Sequence, residues 1–185
     1  MITMKVSLLG PTNMKKFSIL LGREMKYINS ISEKLGETLA EKKADLVVVF
    51  NYDGMLKLVG DSYMKKGGKI EMLYTENDYD WETKPYMKNL TIAGKKVKTP
   101  SWHDMLLKLV SDSDIILCAG LSAGGLAELA YMKWNHQDGK GRVKKLIGIK
   151  ELLRGGKFPE EIAFDIKDIT TVVSIKDLPK ALISK

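Results

Sequence analysis

The stretch DIILCAGLSAGGLAELAYMKWNH, residues 114–136, has the pattern of a strand, a tight turn and a helix. Its first part is a short apolar run, which is typical of a buried strand. Small residues and glycines then occupy positions 119–125. After the turn, Leu126, Leu129, Ala130 and Lys133 recur at the spacing of a helix. The sequence therefore predicts a strand that passes into a helix through a glycine-rich turn.

The turn between this strand and this helix is suited to binding an anion. Glycine lets a backbone approach a ligand closely, and the first N–H groups of a helix have no partner within it. The helix dipole also favours negative charge at that end. We therefore predict a phosphate site formed by Gly120, Ser122, Ala123, Gly124 and Gly125. The alternative is that Gly124 and Gly125 only let the helix pack closely against the sheet.

Outward from this unit, strands and helices alternate along the chain. Continuous apolar runs predict strands covered on both faces, and apolar residues at helical spacing predict helices. The irregular segment 75–100 is interpreted either as a functional loop or as a surface excursion with a hairpin at 90–97 around Gly94. The further predicted strands are 5–10, 45–50, 69–74, 143–149 and 170–175, with a short one at 17–22, and the further helices are 27–42, 55–66, 101–110 and 177–183.

This alternation predicts an α/β fold, a three-layer sandwich with a mainly parallel sheet. A length of 185 residues favours a single domain that spans 1–185. Ligands of such sheets bind beyond the carboxyl ends of the strands. The segments 10–13, 50–54 and 119–125 each follow a strand, so we expect them to converge at one edge of the sheet.

Composition restricts the possible functions. The formal net charge is +7, but the lysines are scattered and no basic motif is rich in aromatic residues, so we expect no nucleic-acid partner. No apolar run is long enough to span a membrane, and we expect no membrane partner. The single cysteine, Cys118, excludes an internal disulfide and favours the cytoplasm. With one Cys and two His, we expect neither a metal nor a resident cofactor.

Three segments resemble the LOG family, Rossmann-like cytokinin-activating phosphoribohydrolases that are also called lysine decarboxylase-like proteins. Residues 47–69 resemble the family's first glycine-rich loop, its helix and the Gly-Gly-Lys that follows. Residues 102–112 align with its Met-His-x-Arg-Lys helix, and residues 121–128 with its Pro-Gly-Gly-x-Gly-Thr-x-x-Glu motif. The resemblance covers roughly residues 1–150. It implies a Rossmann-like fold, a homodimer and binding of a nucleotide or a phosphorylated sugar.

The match to the LOG motifs is partial. The family's arginine and lysine fall on Met105 and Leu106, only His103 is retained there, and in the last motif Gly124 and Glu128 match. The resemblance implies that Glu128 acts on the N-glycosidic bond of a nucleoside monophosphate, since a carboxylate can stabilise an oxocarbenium-like centre or position water. Because its cationic partner is missing, we expect a binding protein, with phosphoribohydrolase activity as the alternative.

Other residues complete this predicted site. Gly54 belongs to the first glycine-rich loop, His103 is a candidate contact to a phosphate or base, and Arg23 is the candidate replacement cation. His103 and Arg23 also have ordinary interpretations, as a residue packed at a helix start and as a surface arginine. Trp102 and Tyr52 are candidates for stacking on a base, or for packing in the core or at its rim.

A second interpretation is a serine hydrolase. Residues 120–124 have the pattern Gly-x-Ser-x-Gly between a strand and a helix, which is typical of a nucleophile elbow and resembles the dipeptidase E and cyanophycinase group. Ser122 would need a histidine base within hydrogen-bond reach. His136 lies about 20 Å away along the helix, which leaves His103, with Asp104 or Asp53 as the orienting acid. A third interpretation is a non-catalytic carrier or scaffold.

Overall fold

Parallel strands form one seven-stranded sheet in a computed structural model, which describes residues 4–76, 84–137, 139 and 141–183. The strands are β1 Lys5–Leu9, β2 Asp45–Val49, β3 Glu71–Tyr74, β4 Lys95–Lys98, β5 Ile115–Cys118, β6 Lys145–Ile149 and β7 Thr170–Val173. Their order in the sheet is β4-β3-β2-β1-β5-β6-β7, and each neighbouring pair is parallel.

Helices connect the strands and cover the sheet. Polar side chains cap several of them: Asp53 accepts a hydrogen bond from the N–H of Gly54 at 2.7 Å, and Ser101 accepts one from the N–H of Asp104 at 3.1 Å. The helices are α1 Met14–Leu21, α2 Met25–Glu41, α3 Gly54–Lys65, α4 Trp102–Ser111, α5 Ala123–Gln137, α6 Glu160–Asp165 and α7 Leu178–Ala181, with 3-10 turns at Met87–Ile92, Lys150–Leu152 and Arg154–Gly156.

Strand β1 lies at the centre of the sheet, between β2 and β5. The chain moves outward from β1 through β2, β3 and β4, and then continues on the other side through β5, β6 and β7. Where the order reverses, between β1 and β5, a crevice forms beyond the strand ends. The predicted α/β sandwich with a parallel sheet is confirmed, and all the carboxyl ends of its strands lie at one edge.

The central strands are buried on both faces. Leu8, Leu46, Val48, Ile116 and Leu117 have no exposed surface. Burial of apolar area stabilises the fold by about 25 cal/mol per Å², and helices on both faces of a parallel sheet require strands that are apolar throughout. The core therefore fixes the strand ends that carry the candidate site.

The predicted short strand at 17–22 is wrong, because residues 17–21 belong to α1 and Gly22 follows its last residue. Asn13 caps this helix by accepting a hydrogen bond from the N–H of Lys16, and Gly22 ends it with φ +65°. Phe17 is buried, whereas Ile19 and Leu20 are 75% and 50% exposed. The apolar run had indicated a strand, but the caps at both ends favour a helix with one buried side.

The predicted hairpin at 90–97 is also wrong. Residues 87–92 form a 3-10 turn instead of the first strand of a hairpin. Strand β4 pairs in parallel with β3. The N–H of Gly94 donates to the carbonyl of Ile70 at 2.9 Å, and Lys95 forms an ion pair with Glu71 at 2.7 Å. These contacts with the neighbouring strand set the register. Residues 77–83 of the acidic and aromatic segment lie outside the described residues.

Candidate functional site

A cavity of about 220 Å³, here called the cleft, lies where the strand order reverses. Residues that follow β1, β2 and β5 line it, together with residues of α4 and α5. The segments predicted to converge at this edge therefore do so. The lining includes Gly10, Thr12, Asn51, Trp102, Leu106, Ser122, Gly124, Gly125 and Glu128.

Ser122 caps the N-terminus of α5. Its hydroxyl oxygen accepts a hydrogen bond from the N–H of Gly125 at 3.3 Å, and its carbonyl accepts one from the N–H of Leu126 at 3.0 Å. Within the described part of the chain, the N–H groups of Ala123 and Gly124 have no acceptor. Ala123 and Gly124 are exposed. Free donors at the positive end of a helix dipole favour an anionic oxygen at this position.

The packing of the chain does not require Gly124 or Gly125. A methyl group at Gly124 would come no closer than 3.7 Å to another residue, the Ser122 hydroxyl, and one at Gly125 no closer than 3.6 Å, to Leu121. Neither glycine has a positive φ. Because glycine destabilises a helix by about 0.5–1 kcal/mol relative to alanine, contacts within the chain do not explain a glycine at the exposed position 124.

Gly54 and Gly120, in contrast, are needed by the fold. Gly54 has φ +52°, and a methyl group there would overlap the carbonyl oxygen of Thr12. Gly120 has φ +116°, and a methyl group there would lie 2.5 Å from the ring of Phe17. Neither of these glycines lines the cleft. Both close turns at the edge of the sheet, so contacts within the chain account for them.

Glu128, one turn into α5, lines the cleft. The side chain is partly buried, and this burial raises the pKa of Glu128 from 4.5 to about 8. Among the residues that the structure describes, none forms a hydrogen bond or ion pair with Glu128, and no lysine or arginine lines the cleft. At neutral pH Glu128 is therefore mainly a neutral acid, which can both donate and accept a hydrogen bond.

A second cavity, of about 610 Å³ and here called the groove, adjoins the same end of α5. Ser122 lines both cavities. At 100° per residue, Ala123 and Leu126, which line the groove, lie on the face of α5 opposite Gly124 and Glu128. The groove is lined by apolar side chains (Phe17, Leu20, Leu21, Leu121, Leu126, Leu152, Phe158 and Pro159) and by the charged Arg154, Lys157, Glu160 and Glu161.

The structure does not bring His103 or Arg23 to either cavity. His103 is exposed at the start of α4. The guanidinium of Arg23 lies over the ring of Tyr27, 5.5 Å from its centroid. Neither residue lines the cleft or the groove. Arg23 is therefore not placed as a cationic partner of Glu128.

The two aromatic candidates differ in position. Tyr52 is buried, and its hydroxyl donates a hydrogen bond to Asp61 at 3.1 Å, so it packs in the core. Trp102 is partly exposed, lines the cleft and packs against Phe50, with 5.8 Å between the ring centroids. Of these two candidates, Trp102 is therefore the one that lines the cleft.

Ser122 is not paired with a histidine base. Its hydroxyl caps α5, and Nε2 of His136 lies 2.8 Å from Asp168. His103, the other histidine of the chain, does not share a cavity with Ser122. Over the described ranges the structure assembles no serine–histidine pair, so the serine hydrolase interpretation lacks its base.

Two residues enter the site that the sequence did not single out. Asn51 lines the cleft, and its buried side-chain oxygen has no hydrogen-bond partner in the described structure. Buried polar atoms are normally paired, so this oxygen is suited to a donor from a ligand or water. Arg154 lines the groove. Asn51 follows a predicted strand, which is a signal for the site edge, whereas no local pattern relates Arg154 to α5.

Solved structures with this fold include proteins that handle the molybdenum cofactor. The molybdenum cofactor carrier protein from Chlamydomonas reinhardtii matches with a TM-score of 0.65 and 13% identity over 100% of both chains. The molybdenum cofactor binding protein from the phototrophic bacterium Rippkaea orientalis matches with a TM-score of 0.68 and 14% identity over 100% of this chain and 99% of its own. DNA processing protein A from Streptococcus pneumoniae matches with a TM-score of 0.51 and 13% identity over 95% of this chain and 60% of its own.

These similarities establish the fold alone. No protein-family model matches the chain, and no curated protein matches its sequence. The Rossmann-like fold of the LOG and DNA processing protein A type is confirmed, whereas membership of the LOG family is not. Across the described ranges, no helix is long and apolar enough to cross a membrane, and no three His, Cys, Asp or Glu side chains are grouped as a metal site requires.

Proposed function

We propose that this protein is a non-catalytic carrier that binds a phosphorylated heterocyclic ligand in the cleft. The observation that supports this function most strongly is the N-terminus of α5. The N–H groups of Ala123 and Gly124 have no acceptor within the described residues, and the exposed Gly124 puts no side chain beside them. A phosphate bound there would accept hydrogen bonds from these donors and complement the helix dipole.

The surroundings of Glu128 favour binding over hydrolysis. Cleavage of an N-glycosidic bond needs a carboxylate to stabilise positive charge or to activate water. Burial keeps Glu128 largely protonated at neutral pH, and the described lining of the cleft supplies no cation to hold it ionised. A neutral acid in the same cleft as the unpaired oxygen of Asn51 is instead suited to hydrogen bonding with a ring that carries both donors and acceptors.

Two classes of ligand fit this chemistry. The LOG resemblance supports a nucleotide or a phosphorylated sugar. The structural neighbours from Chlamydomonas reinhardtii and Rippkaea orientalis support the molybdenum cofactor as cargo, since its pterin also carries a phosphate. In either case the free N–H groups of α5 would hold the phosphate, and Trp102, Asn51 and Glu128 would contact the ring or sugar.

Thermal-shift measurements on the purified protein test this function. The ligands are AMP, other nucleoside monophosphates, ribose 5-phosphate, ADP-ribose, NAD and the molybdenum cofactor. A ligand at about 100 times its Kd stabilises by roughly 2.7 kcal/mol, a rise in Tm of roughly 5–10 °C for a chain of this size. We expect one class of ligand to produce this shift. Absence of a shift with all of them would contradict the proposal.

Hydrolysis of AMP separates the carrier from the phosphoribohydrolase. We expect no release of adenine above background by the wild type, and the same result for Glu128→Ala, because Glu128 is neutral and lacks a cationic partner. Release of adenine by the wild type that is lost in Glu128→Ala would establish the enzyme instead. Binding by both proteins, measured in parallel, shows that the assay contains folded protein.

The LOG resemblance also supports a homodimer, and the single cysteine, Cys118, supports a location in the cytoplasm. Exposed apolar side chains on α1 and α5 outside both cavities, namely those of Ile19 and Trp134, are consistent with a contact between copies. Light scattering coupled to size-exclusion chromatography measures the mass directly. We expect twice the mass of the 20.7 kDa chain, and a monomeric mass would contradict the dimer.

A further inference from the structure

The groove has the size and lining of a second ligand compartment. Its volume of about 610 Å³ lies within the range of about 300–1,000 Å³ that is usual for small-molecule sites. The walls come from separate parts of the chain, namely α1, the start of α5 and the segment after β6. Because α5 separates the groove from Gly124 and Glu128, a molecule in the groove meets a different set of side chains from one in the cleft.

Most of the groove wall is apolar. Phe17 and Phe158 are buried beneath it, whereas Leu20 and Leu126 expose 50% and 39% of their surface. Covering exposed leucines that line the same concave surface with an apolar group removes them from water and is favourable. The groove is therefore suited to the aromatic or branched apolar body of a small molecule.

The charges at the groove favour an anion. Lys157 is paired with Glu160 at 2.7 Å, so these two charges offset each other. Arg154 is exposed and, in the parts of the chain that the structure describes, forms no hydrogen bond or ion pair. Its guanidinium can bind a carboxylate, sulfonate or phosphate with two parallel hydrogen bonds. The remaining charge is the carboxylate of Glu161, which disfavours ligands with many negative charges.

We infer that the groove binds a small amphipathic anion, with its apolar body between α1 and α5 and its anionic group on Arg154. This site shares Ser122 with the cleft and Ala123 with the proposed phosphate site. It does not rest on the proposed function, because Gly124 and Glu128 take no part in it. A ligand of the cleft with an apolar extension would reach the groove past Ser122.

Fluorescence titration with 1-anilinonaphthalene-8-sulfonate tests the site, because this probe combines an aromatic body with a sulfonate. N-phenyl-1-naphthylamine has the same rings without the charge and serves as the neutral probe. We expect Leu126→Glu to weaken binding of both probes by about tenfold or more. We expect Arg154→Glu to weaken the sulfonate by about tenfold and the neutral probe by less than about threefold.

Matched variants control for changes elsewhere on the surface. Leu107 on α4 is 38% exposed, close to the 39% of Leu126, and lines neither cavity, so Leu107→Glu should leave both affinities unchanged. Arg23→Glu is the control for Arg154→Glu. Equal affinities of the wild type, Leu126→Glu and Arg154→Glu would overturn the inference, as would the absence of probe binding by the wild type. Either result would leave the cleft proposal standing, since that proposal depends on Gly124 and the phosphate ligands.

Discussion

The turn after β2 and the turn after β5 lie at the same edge of the sheet and both contain glycine, but for different reasons. In the first turn, the positive φ of Gly54 and the carbonyl of Thr12 exclude any larger residue. In the second, Gly124 and Gly125 have room for an added methyl group, and neither has a positive φ. Glycine content alone therefore does not identify a ligand site. The informative observation is what a side chain at the same position would contact.

Gly54→Ala should have the largest effect on stability. The left-handed backbone costs an alanine about 1–2 kcal/mol, and the overlap with Thr12 adds a similar amount. We expect the free energy of unfolding to fall by about 3 kcal/mol and Tm by roughly 6–12 °C. Thermal and urea unfolding measure both quantities. An unchanged Tm of Gly54→Ala would mean that the fold does not require glycine at position 54, and the two turns would then not differ in this respect.

Gly124→Val should have the largest effect on ligand binding. The valine side chain would occupy the space beside the free N–H groups of Ala123 and Gly124, so we expect affinity to fall by about a hundredfold with little change in Tm. Ala127→Val is the matched control, because Ala127 is exposed on α5 and lines neither cavity. Isothermal titration with the ligand found by thermal shift measures the effect. Unchanged affinity of Gly124→Val would place the ligand elsewhere.

Glu128→Gln should change the pH dependence of binding. As pH rises through about 8, Glu128 ionises and places a negative charge in the cleft, where it repels a phosphate. We expect the affinity of the wild type to fall roughly tenfold between pH 7 and pH 9, and that of Glu128→Gln to stay constant. A phosphate monoester is already doubly ionised over this range, since its second pKa is about 6. Parallel profiles for the two proteins would show that Glu128 does not face the ligand.

The same group affects stability in a defined direction. The folded state holds the Glu128 proton more tightly than the unfolded chain, so its contribution is fully present below pH 4.5 and is lost as pH rises towards 8. Glu128→Gln should therefore reduce the decline in the free energy of unfolding over this range. Urea unfolding at several pH values measures the difference.

Gly124→Ala should have the smallest effect on stability and the opposite sign from Gly54→Ala. An added methyl group at position 124 meets only the Ser122 hydroxyl, at 3.7 Å, and alanine favours the helix by about 0.5–1 kcal/mol. We expect a rise in Tm of roughly 1–4 °C. A fall in Tm similar to that of Gly54→Ala would mean that packing within the chain requires glycine at both turns.

Much of the fold follows from local patterns in the sequence. Runs such as 45–50 and 114–119 belong to strands that are covered on both faces. Because both faces are buried, the sequence of such a strand is apolar almost throughout, and it can be recognised from this. The pattern fails where the caps decide the outcome. Residues 17–22 are apolar enough for a strand, but Asn13 and Gly22 cap a helix, and Ile19 is left exposed. The local pattern also fails at 90–97, where the sequence predicts a hairpin but β4 pairs in parallel with β3, some twenty residues earlier in the chain.

The candidate site is predictable only in part. The turn at 119–125 is visible in the sequence because its glycines precede a helical pattern. The protonation of Glu128 is not, because it depends on burial by residues from other elements. Nor is the presence of Leu20 and Leu126 in one groove, which depends on the positions of α1 and α5 in the folded chain. That residues 1–185 form a single domain remains a prediction.

Backbone amide signals test the central claim most directly, namely that the N-terminus of α5 binds a phosphate. In ¹H–¹⁵N spectra of the labelled protein titrated with inorganic phosphate, the group that both ligand classes share, we predict that the signals of Ala123 and Gly124 move in a saturable manner. The signal of Gly67, which lies in a turn with no residue in either cavity, should stay in place. Movement of other amides while Ala123 and Gly124 remain fixed, or no movement at all, would contradict the claim.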